Sequence, residues 1–108
     1  MVAIMTPSEL AQKLAGSPPP RLLDVREPWE FQRAALPQAR LIPVDDLPAR
    51  VAELNDWREE EIIVYCHHGI RSAHAIAFLR GMGFLHLHNL TGGIDRWSVE
   101  VDPETPRY

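Results

Sequence analysis

The chain predicts an α/β fold, a parallel sheet covered by helices on both faces, and three observations carry that expectation. Apolar runs of strand length stand at Arg21-Leu22-Leu23-Asp24-Val25 and Glu61-Ile62-Ile63-Val64-Tyr65. Segments with helical spacing separate them over short connections, the pattern of crossovers between parallel strands. Asp24, Cys66 and Thr91-Gly92-Gly93 all fall at strand carboxyl ends, where such sheets bind ligands.

Taken in order, Thr6-Pro7-Ser8-Glu9 starts a helix, with Thr6 as N-cap, Pro7 at the first helical position and Glu9 closing a capping box. Leu10 and Leu14 share its inner face, and Gly16-Ser17-Pro18-Pro19-Pro20 stops it ahead of the strand Arg21 to Val25. Pro28, between Glu27 and Glu30, presets the first turn of a short helix whose positive end the two acids complement. Ala39 to Ile42 is a short strand stopped by Pro43. Asp45-Asp46-Leu47-Pro48 opens a helix whose Leu47, Val51 and Leu54 form one buried stripe. Glu61 to Tyr65 leads into Cys66, and Ser72 to Met82 is a helix presenting Ala75, Ile76, Leu79 and Met82. Phe84 to Leu90 alternates as a strand, and a short helix runs from Gly93 through Trp97. Beyond Ser98 there is no clear periodicity, although Pro103 and Pro106 favour an extended strap lying on the domain.

With 108 residues, a single domain over 1–108 is expected, able to bury about 60 to 70% of its unfolded surface. The net charge of -4, with no basic run, argues against nucleic acid or an anionic membrane as partner. The apolar stretches are far shorter than a membrane span. One cysteine excludes an internal disulfide, and Met1 to Leu10 lacks the basic and apolar regions of a secretion signal, so the cytoplasm is the expected location.

That cysteine sits in Tyr65-Cys66-His67-His68-Gly69-Ile70-Arg71-Ser72, between a buried strand and a helix start. There the backbone N–H groups and the positive helix end converge and favour a thiolate or any anion beside it. Gly69 allows positive φ and close backbone approach. A cation at a helix start opposes the dipole, so Arg71 is best understood as facing an anion. His67 and His68 either tune the loop's charge near neutrality or are plain turn residues. Asp24 is expected to support neighbouring loops through hydrogen bonds to their N–H groups. His74 is expected on the surface, and His86 and His88, with no carboxylate or cysteine at matching spacing, on an exposed or partly satisfied strand face rather than on a metal.

Three motifs in order resemble the single-domain rhodanese family of sulfurtransferases. They are Leu22-Leu23-Asp24-Val25-Arg26-Glu27-Pro28-Trp29-Glu30-Phe31, Ile63-Val64-Tyr65-Cys66 with Gly69 and Arg71-Ser72, and Leu90-Thr91-Gly92-Gly93-Ile94 with Trp97. The resemblance spans nearly the whole chain. It implies a three-layer α/β/α sandwich with a central, mainly parallel five-stranded sheet, no cofactor and no metal, and a persulfide carried on Cys66. His67, His68, Gly69, Ile70 and Arg71 would hold a small anionic donor such as thiosulfate, and Asp24 and Ser72 would support the loop. The sequence departs from the family at Ala34-Ala35-Leu36-Pro37-Gln38-Ala39, where a Gly-His-Ile-x-Gly-Ala pattern is usual. It departs again at His67-His68, where thiosulfate-using members often carry more basic residues.

With no second cysteine to resolve a persulfide, the acceptor is expected to be external: cyanide, a thiol or a protein. The alternatives are a persulfide carrier or binding module for a protein partner, and a phosphatase or arsenate reductase. The latter class resembles a cysteine followed by five residues and an arginine. Here four residues separate Cys66 from Arg71, and none is a carboxylate able to act as general acid. The absence of Cys-x-x-Cys excludes a thioredoxin-like oxidoreductase.

Overall fold

A computed structural model describes residues 3–108. Five parallel strands, β1 (Ile4–Met5), β2 (Arg21–Asp24), β3 (Arg40–Leu41), β4 (Ile62–Tyr65) and β5 (Leu87–Leu90), form one sheet in the order β1-β5-β4-β2-β3. β4 lies at the centre, with Leu23 in register with Val64 and Ile63 with His88. All four residues of β4 are buried, as a strand covered on both faces requires.

Strand alternation divides the core in two. Leu23, Val25, Ile62, Val64 and Cys66 point to one layer, with Leu47, Leu54, Trp57 and the inner face of α4 (Ile70–Gly81), Ala75, Ile76 and Leu79. Leu22, Ile63, Tyr65 and Leu90 point to the other, with Leu10 of α1 (Pro7–Leu14) and Ile94 and Trp97 of α5 (Gly93–Glu100). The Thr6–Glu9 capping box forms in full, and Glu27 and Glu30 make a second one at the start of α2 (Pro28–Arg33).

Several elements differ from expectation, and α5 runs three residues past Trp97 to Glu100. The helix expected from Asp45 is one α turn, α3 (Leu47–Arg50), between 3-10 segments at Val44–Asp46 and Val51–Trp57. Winding at three residues per turn aligns Val51, Leu54 and Trp57, and the last two are buried. β5 starts at Leu87 instead of Phe84, because the buried Phe84 closes the end of α4 and Leu85 is exposed. α4 begins at Ile70, two residues before Ser72. Edge strand β1, too short to show a period, extends the sheet through Asn89 N–H to Ala3 O and Thr91 N–H to Met5 O. In the departing segment, Gln38 stands where the family pattern has its second glycine, and it holds φ +64°.

Candidate functional site

β4 delivers Cys66 to the floor of a turn that Gly69 completes. Gly69 adopts φ +116° as the residue before α4, and its carbonyl accepts from Ala73 N–H to close the first helical turn. The turn folds back over the sulfur. Cys66 Sγ accepts hydrogen bonds from the N–H groups of Gly69 at 3.1 Å and Ser72 at 3.4 Å, and the Ser72 hydroxyl lies 3.4 Å away. Cys66 is 1% exposed. Two N–H groups at a helix N-terminus thus converge on the sulfur, an arrangement that stabilises an anion bound there.

Two neighbouring elements brace this turn. From β5, Asn89 accepts from the Ser72 hydroxyl at 2.6 Å and donates to the Gly69 carbonyl at 3.1 Å. From α5, the N–H groups of Ile94 and Asp95 donate to the carbonyls of Cys66 and His67 at 2.9 and 3.2 Å. Thr91-Gly92-Gly93 therefore brings a second helix start against the back of the loop.

Asp24 is paired with Arg26 beneath the loops. Its carboxylate accepts from Arg26 N–H, Nε and Nη2, both side chains are fully buried, and Arg26 also donates to the Ala34 carbonyl at 2.6 Å. A buried ion pair is tolerable only when its remaining hydrogen-bonding groups are satisfied, as here. The anion facing Arg71 is internal: Glu30 receives Nη1 at 2.6 Å and Nη2 at 2.9 Å in a bidentate pair. That arginine, backed by the Glu27 N–H, holds the Glu30 carboxyl down to about 2 against the burial that opposes it.

Ile70 and His68 are exposed at the loop surface. The His67 ring is stacked between His68, at 4.0 Å, and Tyr108, at 4.1 Å. Burial, reinforced by His68, pushes the His67 pKa down, and its Nε2 is buried without a hydrogen-bond partner. Side-chain donors of His67, His68 and Asp95 lie within 4.8 Å of one another. They do not converge on an ion. The imidazole planes are inclined by only 26°, so no metal lies in both planes at the roughly 2.0–2.1 Å of a zinc–nitrogen bond, and both Asp95 oxygens are already held by Arg107. His88 Nε2 instead lies 3.2 Å from Glu61.

Sequence reasoning missed Glu30 and Asn89 as site residues, although both lie in or beside the quoted motifs. Tyr108 carried no signal at all. It arrives from the aperiodic tail, its hydroxyl accepting from Arg26 at 2.6 Å and donating to Glu30 at 2.8 Å.

Residues 6–100 match the family described as Rhodanese-like domain. A sulfurtransferase of Allochromatium vinosum is 33% identical over 91% of this chain and 90% of its own length. A rhodanese-like domain protein from Staphylococcus aureus superposes with a TM-score of 0.83 at 31% identity, covering 100% of this chain and 99% of that one. The human single-domain sulfurtransferase TSTD1 superposes with a TM-score of 0.79 at 26% identity, covering 93% and 98%. No helix among the described residues is long and apolar enough to cross a membrane.

Proposed function

This chain belongs to the rhodanese-like domain family of sulfurtransferases, and from that premise we propose that it moves a sulfane sulfur from a small anionic donor, of which thiosulfate is the simplest, through a persulfide on Cys66. The observation that supports this best is the Cys66 sulfur under the N–H groups of Gly69 and Ser72. In the first step the thiolate attacks the outer sulfur of thiosulfate; the donor's S–S bond breaks and its electron pair leaves with sulfite. In the second, cyanide or a thiol attacks the outer sulfur of the persulfide, and the Cys66 thiolate leaves. The loop N–H groups stabilise sulfur anions in both steps, and Arg71 recognises the donor's charge.

The lone cysteine sends the sulfur to an external acceptor and fits a reducing compartment, the cytoplasm in this reading. Ile70, 72% exposed in the loop, and Trp29, 58% exposed beside Tyr108, favour a protein among the acceptors. Phosphoryl transfer lacks a carboxylate in the loop to protonate a leaving oxygen.

The test is an intact-mass measurement. After thiosulfate treatment and removal of excess donor, the protein should gain one sulfur atom, and cyanide should remove it. Cys66→Ser should gain none. Absence of the adduct with thiosulfate, mercaptopyruvate and an organic persulfide alike would reject the reading.

A further inference from the structure

Tyr108 touches four residues around the loop. Besides its bonds to Arg26 and Glu30, its ring lies parallel to His67 within 10° and meets Trp29 edge-on at 5.7 Å. Next to it, Arg107 fastens the tail to Asp95 at 2.9 and 3.2 Å. Burial pushes the Tyr108 phenol up to about 12, so it is a protonated donor at neutral pH.

The hydroxyl matters through Glu30, whose side chain is 4% exposed and needs a donor on each oxygen. One oxygen accepts from Glu27 N–H at 3.0 Å and Arg71 Nη1, and the other from Arg71 Nη2 and the Tyr108 hydroxyl. Each oxygen thus has a donor besides Arg71. Arg71, 35% exposed, can turn part of its fork toward an incoming anion without leaving a buried carboxylate oxygen bare. Without the phenol, the second Glu30 oxygen would depend on Arg71 Nη2 alone and hold that arm of the guanidinium back.

We propose that Tyr108 is a positioning residue for anion recognition at the Cys66 loop, its hydroxyl sharing Glu30 so that Arg71 can engage an anionic sulfur donor. This deepens the sulfurtransferase reading and, as far as the donor is concerned, rests on it.

Tyr108→Phe removes only the oxygen. The ring contacts persist, and Arg26 keeps Asp24 and the Ala34 carbonyl. KM for thiosulfate should rise about tenfold while kcat and the cyanide discharge of a preloaded persulfide stay within about twofold, the pattern of one lost charge-assisted contact. Tm should fall by only a few degrees, because Arg26 Nη1 keeps the Glu30 carbonyl as an acceptor. Independently of turnover, the sulfate concentration that half-protects Cys66 from iodoacetamide should rise by a similar factor. Unchanged KM and unchanged sulfate protection would overturn the proposal, as would no sulfate protection in the parent protein. A fall in kcat and Tm with KM unaltered would show a merely structural tyrosine and overturn it too. If the parent protein failed to take up sulfur yet the Phe variant still lost sulfate protection, the donor reading would fall and the role of Tyr108 in anion binding would stand.

Discussion

Gly93 presses against the loop that carries Cys66: a Cβ on it would lie 2.4 Å from the Cys66 carbonyl oxygen and 2.3 Å from that of His67. The approach lets the N-terminus of α5 donate to both carbonyls while the sulfur faces α4. The Cys66 backbone is thereby clamped between two helix starts.

Gly93→Ala therefore forces backbone apart and places a side chain at φ +62°. Stability should fall by about 2 to 4 kcal/mol, the range for combined steric and backbone strain, as read by urea unfolding. Sulfur uptake by the still-folded fraction should fall as well. A variant with parent stability would show that the loop and α5 can separate freely.

Asn89→Asp keeps the acceptor for Ser72 but loses the donor to the Gly69 carbonyl. It also adds negative charge one hydroxyl away from the sulfur, which disfavours the thiolate. Alkylation of Cys66 by iodoacetamide at pH 7 should slow several-fold, whereas Asn89→Gln should lose less. Equal rates in the parent and the Asp variant would remove Asn89 from the electrostatics of the loop.

Gln38 holds φ +64° without a glycine's freedom. Gln38→Gly should stabilise the fold by about 0.5 to 1 kcal/mol, the left-handed strain relieved minus the added entropy of the unfolded chain. Thermal unfolding measures it, and a lower Tm would mean that the Gln38 side chain contributes more than its backbone costs.

Much of the architecture was legible because β2, β4, α1 and α4 carry strong local signals: apolar runs of strand length, a capping box and an apolar helical face. The position of Cys66 was legible for the same reason, since a strand ending in a Gly turn implies a helix start. Arg71 was recognised as needing an anion, but its supplier Glu30 lies 41 residues away, and no local period reports a pairing across that separation. Glu30 had a sufficient local explanation at the start of α2, which concealed its second role. Tyr108 is held by contacts from 41 to 82 residues away, so its place was invisible until the chain was folded. The short β1 and the mixed winding after Pro43 were lost because two residues show no period and 3-10 turns blur the helical one.

On the proposed function Arg71→Ala should remove donor recognition, and it also strips Glu30 of its bidentate partner. Stability should drop by about 1 to 3 kcal/mol, and KM for thiosulfate should rise. In the double variant Arg71→Ala with Glu30→Gln, most of the stability should return but not the KM, because the buried charge is gone while the anion's partner is still missing. If KM recovered with stability, Arg71 would act only through the fold.

Glu30 also sets how the protein responds to acid. Its carboxyl is lowered from the ordinary 4.5 to about 2, first by the Arg71 hydrogen bonds and then, against burial, by the Glu27 N–H and Tyr108. The folded state thus binds fewer protons than the unfolded one between these values, so stability rises with pH across that window. The Glu30 contribution is fully present above about 4.5 and is lost as pH falls toward about 2. Arg71 stays charged throughout and the Tyr108 phenol stays protonated, so a narrowing gap belongs to the carboxyl; His67, whose protonated form the Glu30 charge favours, would widen the gap instead. Urea unfolding of the parent and Glu30→Gln at pH 7, 4 and 3 should show the variant less stable at pH 7 by about 1 to 3 kcal/mol, with the gap narrowing at pH 4 and further at pH 3. A constant gap from pH 7 to pH 3 would mean that the Glu30–Arg71 pair is not what acid breaks.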